Sequence, residues 1–103
     1  MKVLIPVDSK DRFKSIISSI EENKSWALVT LDGAKISSVD FYDRYEEIFC
    51  LIENMVVINS LEFVWPMQEE GIKVLIANNE KSIDEIIESF LLNKLSNFPI
   101  KSS

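Results

Sequence analysis

Few side chains in this chain could do chemistry. Histidine is absent and cysteine occurs once, at Cys50, which removes the commonest neutral-pH acid and base and the commonest nitrogen ligand for metals. A lone thiolate falls short of the roughly four that an iron-sulfur cluster uses. With Phe49, Leu51 and Ile52 around it, Cys50 reads as a partly buried helical thiol that packs as a small hydrophobe. Glu21, Glu22, Glu46, Glu47, Glu69 and Glu70 form acidic doublets, and such doublets on helix surfaces read as solvated faces. The best-placed polar set is Asp8, Asn59, Ser60, Asn78 and Asn79, each just after an apolar run. In open α/β sheets, ligands gather beyond the carboxyl ends of parallel strands, so these residues form a candidate ligand-binding rim. The competing reading is that Asx side chains there satisfy turns and helix starts. A two-metal phosphodiesterase would need several carboxylates at the rim. Asn59 and Ser60 stand where a second one is wanted, and Asp40 and Asp43 fall at the far end of a hairpin. No catalytic residue and no metal ligand is assigned.

Positioning that rim requires a sheet. Residues 2–7 are almost continuously apolar, as in a strand buried on both faces. Ser9 then caps an expected helix with Phe13, Ile16, Ile17 and Ile20 at helical spacing. Residues 26–31 and 34–41 flank Asp32-Gly33, which predicts a hairpin with a type I′ turn. Residues 42–53 change to helical period with Tyr45, Ile48, Phe49 and Ile52 on one face. A strand follows at 55–58, then an irregular helix at 60–70 that Pro66 must kink or delay and Gly71 closes. Residues 72–77 form another strand, and Ser82 with Glu85 makes a capping box opening a helix with Ile83, Ile86, Ile87, Phe90, Leu91 and Leu95 on its apolar stripe. The expected fold is α/β, with a five-stranded mixed sheet in the order 3-2-1-4-5 and helices on both faces. Trp65, beside Pro66, is either core or a partner-facing anchor.

At 103 residues the chain suits one domain, taken as residues 1–95 with a tail at 96–103. Nearly half of the residues are hydrophobic, 47%, which supports a packed core. A net charge of −6 disfavours nucleic acid and anionic membranes as partners. No apolar run reaches the roughly 20 residues a membrane helix needs. The unpaired Cys50 and the lack of a signal-peptide pattern place the protein in the cytoplasm. The third strand, 34–41, should lie at a sheet edge, so the expected state is a monomer or weak homodimer.

Several segments also carry a resemblance. The opening Met1-Lys-Val-Leu-Ile-Pro-Val-Asp8, the strand Trp26-Ala-Leu-Val-Thr30 and the hairpin Asp32-Gly-Ala-Lys-Ile36 come first. Met55-Val-Val-Ile58, Met67-Gln-Glu-Glu-Gly-Ile-Lys-Val74 and Ser82-Ile-Asp-Glu-Ile-Ile-Glu-Ser-Phe-Leu-Leu92 follow. Together they are similar to the nitrogenase iron-molybdenum cofactor accessory family over about residues 1–95. The resemblance implies a ribonuclease H-like motif, and relatives that carry or help assemble iron-sulfur or iron-molybdenum cofactor precursors. Two departures stand out. Where relatives carry His-Phe-Gly-Arg this chain has Ser19-Ile20-Glu21-Glu22, and in place of a glycine-rich turn it has Asn59-Ser60-Leu61-Glu62. The expectation is therefore a divergent, non-catalytic member that binds a protein partner or small ligand and has no cofactor of its own. The alternatives are a cofactor precursor carrier and, second, a ribonuclease H-like metal-dependent phosphodiesterase.

Overall fold

The computed structural model describes residues 1–99. Lys2–Val7 forms strand β1, and apart from Lys2 every residue in it is buried. Side chains alternate across a strand, so Val3, Ile5 and Val7 enter one apolar cluster and Leu4 enters the other. β1 pairs antiparallel with β2 (Ser25–Asp32) and parallel with β4 (Asn54–Val57). β3 (Lys35–Tyr42) returns antiparallel to β2, and β5 (Lys73–Ile76) runs parallel to β4.

The sheet has six strands where five were expected, in the order β3-β2-β1-β4-β5-β6. The added strand, β6 (Ser96–Asn97), pairs antiparallel with β5 and comes from the stretch read as the start of a tail; residues 100–103 of that tail lie outside the described residues. Helix α2 (Ile83–Leu91) supplies the reason. Asn93 takes a left-handed φ of 58°, Asn93 N–H donates to Phe90 O at 3.1 Å and Lys94 N–H to Ser89 O at 2.8 Å. This paired closure turns the chain sharply back and lays Ser96 along β5.

Helices do lie on both faces. Ile83, Ile86 and Ile87 of α2 pack into the cluster with Val3, Ile5 and Val7, and Met67 of α1 (Trp65–Glu69) packs into the cluster with Leu4, Trp26 and Met55. Ser82 caps α2 as expected, accepting from Glu85 N–H at 3.1 Å while Glu85 Oε1 accepts from Ser82 N–H at 3.1 Å. Pro66 does not kink a long helix; α1 starts late with the proline in its first turn, where a missing N–H costs no helical bond. Gly71, at φ 85°, closes it.

The other two expected helices are absent. Residues 9–20 form turns and two isolated bridges, Val7 with Ile17 and Ile16 with Ser82. Asp11 Oδ1 accepts from Phe13 and Lys14 N–H, both at 2.9 Å, so a local side-chain bond competes with helix, and adjacent β-branched Ile16 and Ile17 favour extended backbone. Of residues 42–53, Tyr42 ends β3 and the rest hold only a 3-10 turn, Tyr45–Glu47. Ile52 enters the core, whereas Phe49 is 94% exposed; Trp26 and Tyr45 rings meet at 5.6 Å, so this segment covers the sheet as coil. The hairpin turn also differs. Asp32 pairs with Lys35, leaving Gly33 and Ala34 as the loop, and only Gly33 has positive φ, 63°. One leading left-handed glycine is the II′ pattern; type I′ would force Ala34 into the left-handed region as well.

Pro6 shapes the site end of the sheet. Leu31 N–H donates to Met1 O at 2.7 Å, so by alternation odd-numbered β1 residues bond β2 and even-numbered ones face β4. The missing N–H of Pro6 therefore falls on the β4 side, and the β1–β4 register stops at Leu4 with Met55. Its carbonyl instead accepts from Ser18 N–H at 3.0 Å. The returning chain, residues 16–18, fills the crevice that β4 leaves.

Ile86→Ala, at a fully buried position, is expected to cost about 2–5 kcal/mol in urea unfolding followed by far-UV circular dichroism. Phe49→Ser, predicted to be severe if a buried helix held that ring, should change stability by no more than about 0.5 kcal/mol.

Candidate functional site

Because β1, β4 and β5 run parallel, Asp8, Asn59, Ser60, Asn78 and Asn79 all fall beyond the carboxyl ends of these strands, on one side of the molecule. They do not converge into one constellation. Asn78 and Asn79 line a cleft of about 350 Å³ with Ile16, Ile17, Ile58, Ala77, Glu80 and Lys81. Ser60 lines a different recess, beside Phe63, Trp65 and Phe98. Asp8 and Asn59 line neither.

Most of these polar atoms are already engaged with the chain. Asp8 Oδ1 accepts from Ile16 N–H at 2.9 Å, which holds residues 9–16 as a closed loop. Asn59 Oδ1 accepts from Leu61 N–H at 2.9 Å, an Asx turn. Asn78 Nδ2 donates to Lys94 O at 3.0 Å and its Oδ1 accepts from Ser96 Oγ–H at 2.9 Å, tying the rim to β6.

Sequence reasoning missed Glu80. One of its oxygens accepts from the Asn78 and Asn79 N–H groups at 2.8 and 3.1 Å, and the other from the Ser89 hydroxyl at 2.5 Å. The Ser89 bond, then the backbone bonds, hold the Glu80 carboxyl below its ordinary range. It fills a pocket of amide donors that would otherwise suit an outside anion. Ile16 and Ile58 were also missed as cleft walls, since the first was assigned to a helix stripe and the second to a buried strand end; they are 44% and 37% exposed. Nothing in their spacing marks them as site residues.

Loop tips extend the apolar surface outward. The 9–20 loop is joined to the segment after β4 by Ile20 N–H donating to Glu62 Oε1 at 2.9 Å. Phe13 and Phe63 in these two segments are exposed. Arg12 lies 4.8 Å over the Phe13 ring and pairs with Asp84 at 3.0 Å, fixing the loop against α2. Asp43, set aside as remote, reaches this end and pairs with Lys10.

Cys50 is not the partly buried helical thiol expected. It is exposed in irregular chain just before β4, at the opposite end of that strand from the rim. It shares a shallow recess with Tyr45, Glu46 and Glu70. Partial burial, then the 3.0 Å bond to Glu70, push the Tyr45 phenol up to about 12, so it stays protonated at neutral pH. The acidic doublets are exposed; Glu21 and Glu22 lie on a turn, not on a helix. Among the described residues no three His, Cys, Asp or Glu side chains group as metal ligands. Trp65 is half exposed and lines a groove of about 630 Å³ at the start of β5, with Lys73, Val74 and Phe98. We place the candidate site at the smaller cleft because it lies at the carboxyl strand ends beside the topological switch point, where open α/β sheets take ligands.

No protein-family profile matches the chain, and no curated protein matches it. Solved structures do share its fold. A protein from Methanocaldococcus jannaschii provisionally described as a dinitrogenase has a TM-score of 0.72 at 20% identity, over 98% of this chain and 97% of that one. A protein from Thermotoga provisionally described as NifB has a TM-score of 0.72 at 15% identity, over 99% and 97%. Likeness at such identity establishes the fold.

The Glu80 pKa is lowered on folding, so its contribution to stability is present above the ordinary glutamate range and is lost as pH falls through the lower folded value. Glu80→Gln should accordingly be less stable than wild type at neutral pH. The gap should close in acid, which urea titrations across pH would show.

Proposed function

We propose that this protein is a divergent, non-catalytic member of the nitrogenase iron-molybdenum cofactor accessory group that binds a protein partner or a small ligand at the cleft beyond β1, β4 and β5. The observation that carries this reading is the cleft itself. Its walls are Ile16, Ile17, Ile58 and Ala77, and its polar edge is Asn78 and Asn79. An apolar recess with a few fixed polar groups suits recognition, and the exposed Phe13, on the loop that also carries Ile16 and Ile17, offers contact area to a partner. The ribonuclease H-like description of the scaffold belongs to the same reading.

The donor chemistry does not fit a resident cluster. The rim offers amide, hydroxyl and single-carboxylate oxygens, and the thiol of Cys50 sits at the other end of β4, whereas iron-sulfur clusters are held by several thiolates. A catalytic reading lacks an activated nucleophile. The hydroxyl–carboxylate bonds, Ser89 to Glu80 and Tyr45 to Glu70, pair a weakened base with an alcohol and a strongly protonated phenol with a surface glutamate. A cytoplasmic location and the exclusion of nucleic acid and membrane go with the exposed free thiol and the charge of −6. Among the described residues no helix is long and apolar enough to cross a membrane.

The test uses amide chemical-shift mapping with anilinonaphthalene sulfonate as an apolar probe. Shifts should centre on Ile16, Ile58, Asn78 and Asn79, and Ile58→Asp should weaken binding by about tenfold, the equivalent of ~1.4 kcal/mol. Shifts centred on the Trp65 groove would move the site. Anaerobic incubation with iron and sulfide should leave no stoichiometric cluster after desalting; stable uptake would overturn the cluster-free assignment.

A further inference from the structure

The two edges of the sheet differ in kind. On the β5 side the edge is closed by the two-residue β6, a short cap of the sort that blunts pairing. On the other side β3 ends the sheet with eight residues and, among the described residues, no further neighbour. Leu31 bonds β1 through its N–H and carbonyl, so by alternation Trp26, Leu28 and Thr30 bond β3 through their partners Tyr42, Asp40 and Ser38. The N–H and C=O groups of Val39 and Phe41 therefore point away from the sheet. Their side chains, and that of Ile36, are only partly buried against the α2-side cluster, which leaves an apolar strip along the open edge.

We propose that β3 pairs antiparallel with β3 of a second copy about a two-fold axis at Val39, continuing the sheet through both molecules. Residue complementarity selects the second copy as occupant. In this register Val39 faces Val39, and Ser38 faces Asp40 on each side of the axis, all within the straight stretch that follows the β2–β3 bulge. The Asp40 carboxylate of each copy then meets a hydroxyl and no like charges oppose, which is the requirement for cross-strand pairs. A bulge where Thr30 and Leu31 pair with Ser38 and Ile36 bends the turn end of the hairpin and leaves Ser38–Tyr42 straight. The ladder is short, and each copy carries a charge of −6, so the dimer is weak and reversible. The pairing lies across β1 and β2 from the rim cleft and stands or falls separately from ligand binding there.

Sedimentation velocity of the full chain over a concentration series, at moderate salt, tests this. Wild type should pass from monomer to dimer. Ser38→Asp, which sets carboxylates opposite Asp40 at two symmetric places, should weaken association about tenfold or more. Adding Asp40→Lys to it should restore association, and circular dichroism of each variant checks folding. Independently, Val39→Cys in a Cys50→Ser background should form a disulfide-linked dimer under mild oxidant, since directly opposed residues lie within disulfide reach, about 5.5 Å between Cα atoms. A wild type that stays monomeric to about 1 mM, dimerisation indifferent to Ser38→Asp, or no cross-link through position 39 would each overturn the proposal.

Discussion

A proline in a central strand determines how this sheet ends. β1 must bond two neighbours at once, yet Pro6 has no N–H to give on the β4 side, so the parallel ladder stops at Leu4 and Met55. The Pro6 carbonyl turns to Ser18, Asp8 N–H turns to Ile16 O, and Ile17 N–H reaches Lys81 O. The 16–18 segment is thereby inserted between the ends of β1 and β4 and linked to the approach to α2. The cleft walled by Ile16 and Ile58 exists because the ladder fails there; with β1 and β4 paired to their ends, the returning segment would have no carbonyl to bond.

The polar residues beyond the carboxyl strand ends serve the backbone first. Asp8, Asn59 and Asn78 each satisfy a loop or strand group, and Glu80 occupies the amide donors that precede α2. Buried or crowded backbone groups need partners, and in loops without regular ladders short Asx and Glu side chains supply them. What remains open to a ligand is mainly apolar wall with amide edges. The chain also covers its sheet economically on the Leu4 side, where coil at residues 48–52 and the short α1 do what a long helix was expected to do.

Strands were legible because burial on both faces writes continuous apolar runs, and β1 has the bounds that its residues suggested. α2 was legible for a similar reason, since cap, first-turn carboxylates and the buried Ile83, Ile86 and Ile87 agree, but it ends at Leu91, which is exposed, and leaves Leu95 of the expected stripe outside the helix. The segments at 9–20 and 42–53 were misread because their spacing also fits a helix, while four serines and paired isoleucines in the first, and the exposure of Phe49 in the second, favour chain that is pinned point by point. At the site, the rim residues could be named from their positions after strands. Their hydrogen-bond commitments could not, and neither could Glu80, whose partner Ser89 lies on the next helix.

By itself the sequence determined that the chain buries an α/β core around Lys2–Val7, that Ser82 starts a helix, and that iron would find a single thiol and no imidazole, because residue type and apolar period act locally. The tertiary structure alone decided that Ile16 and Ile58 line one cleft, that Cys50 is remote from the rim and that Ser96–Asn97 adds a sixth strand. Those outcomes depend on which backbone groups remain unbonded after the ladders form, and that is set by strand order and by the side on which Pro6 lacks its proton, neither of which any short window of residues contains.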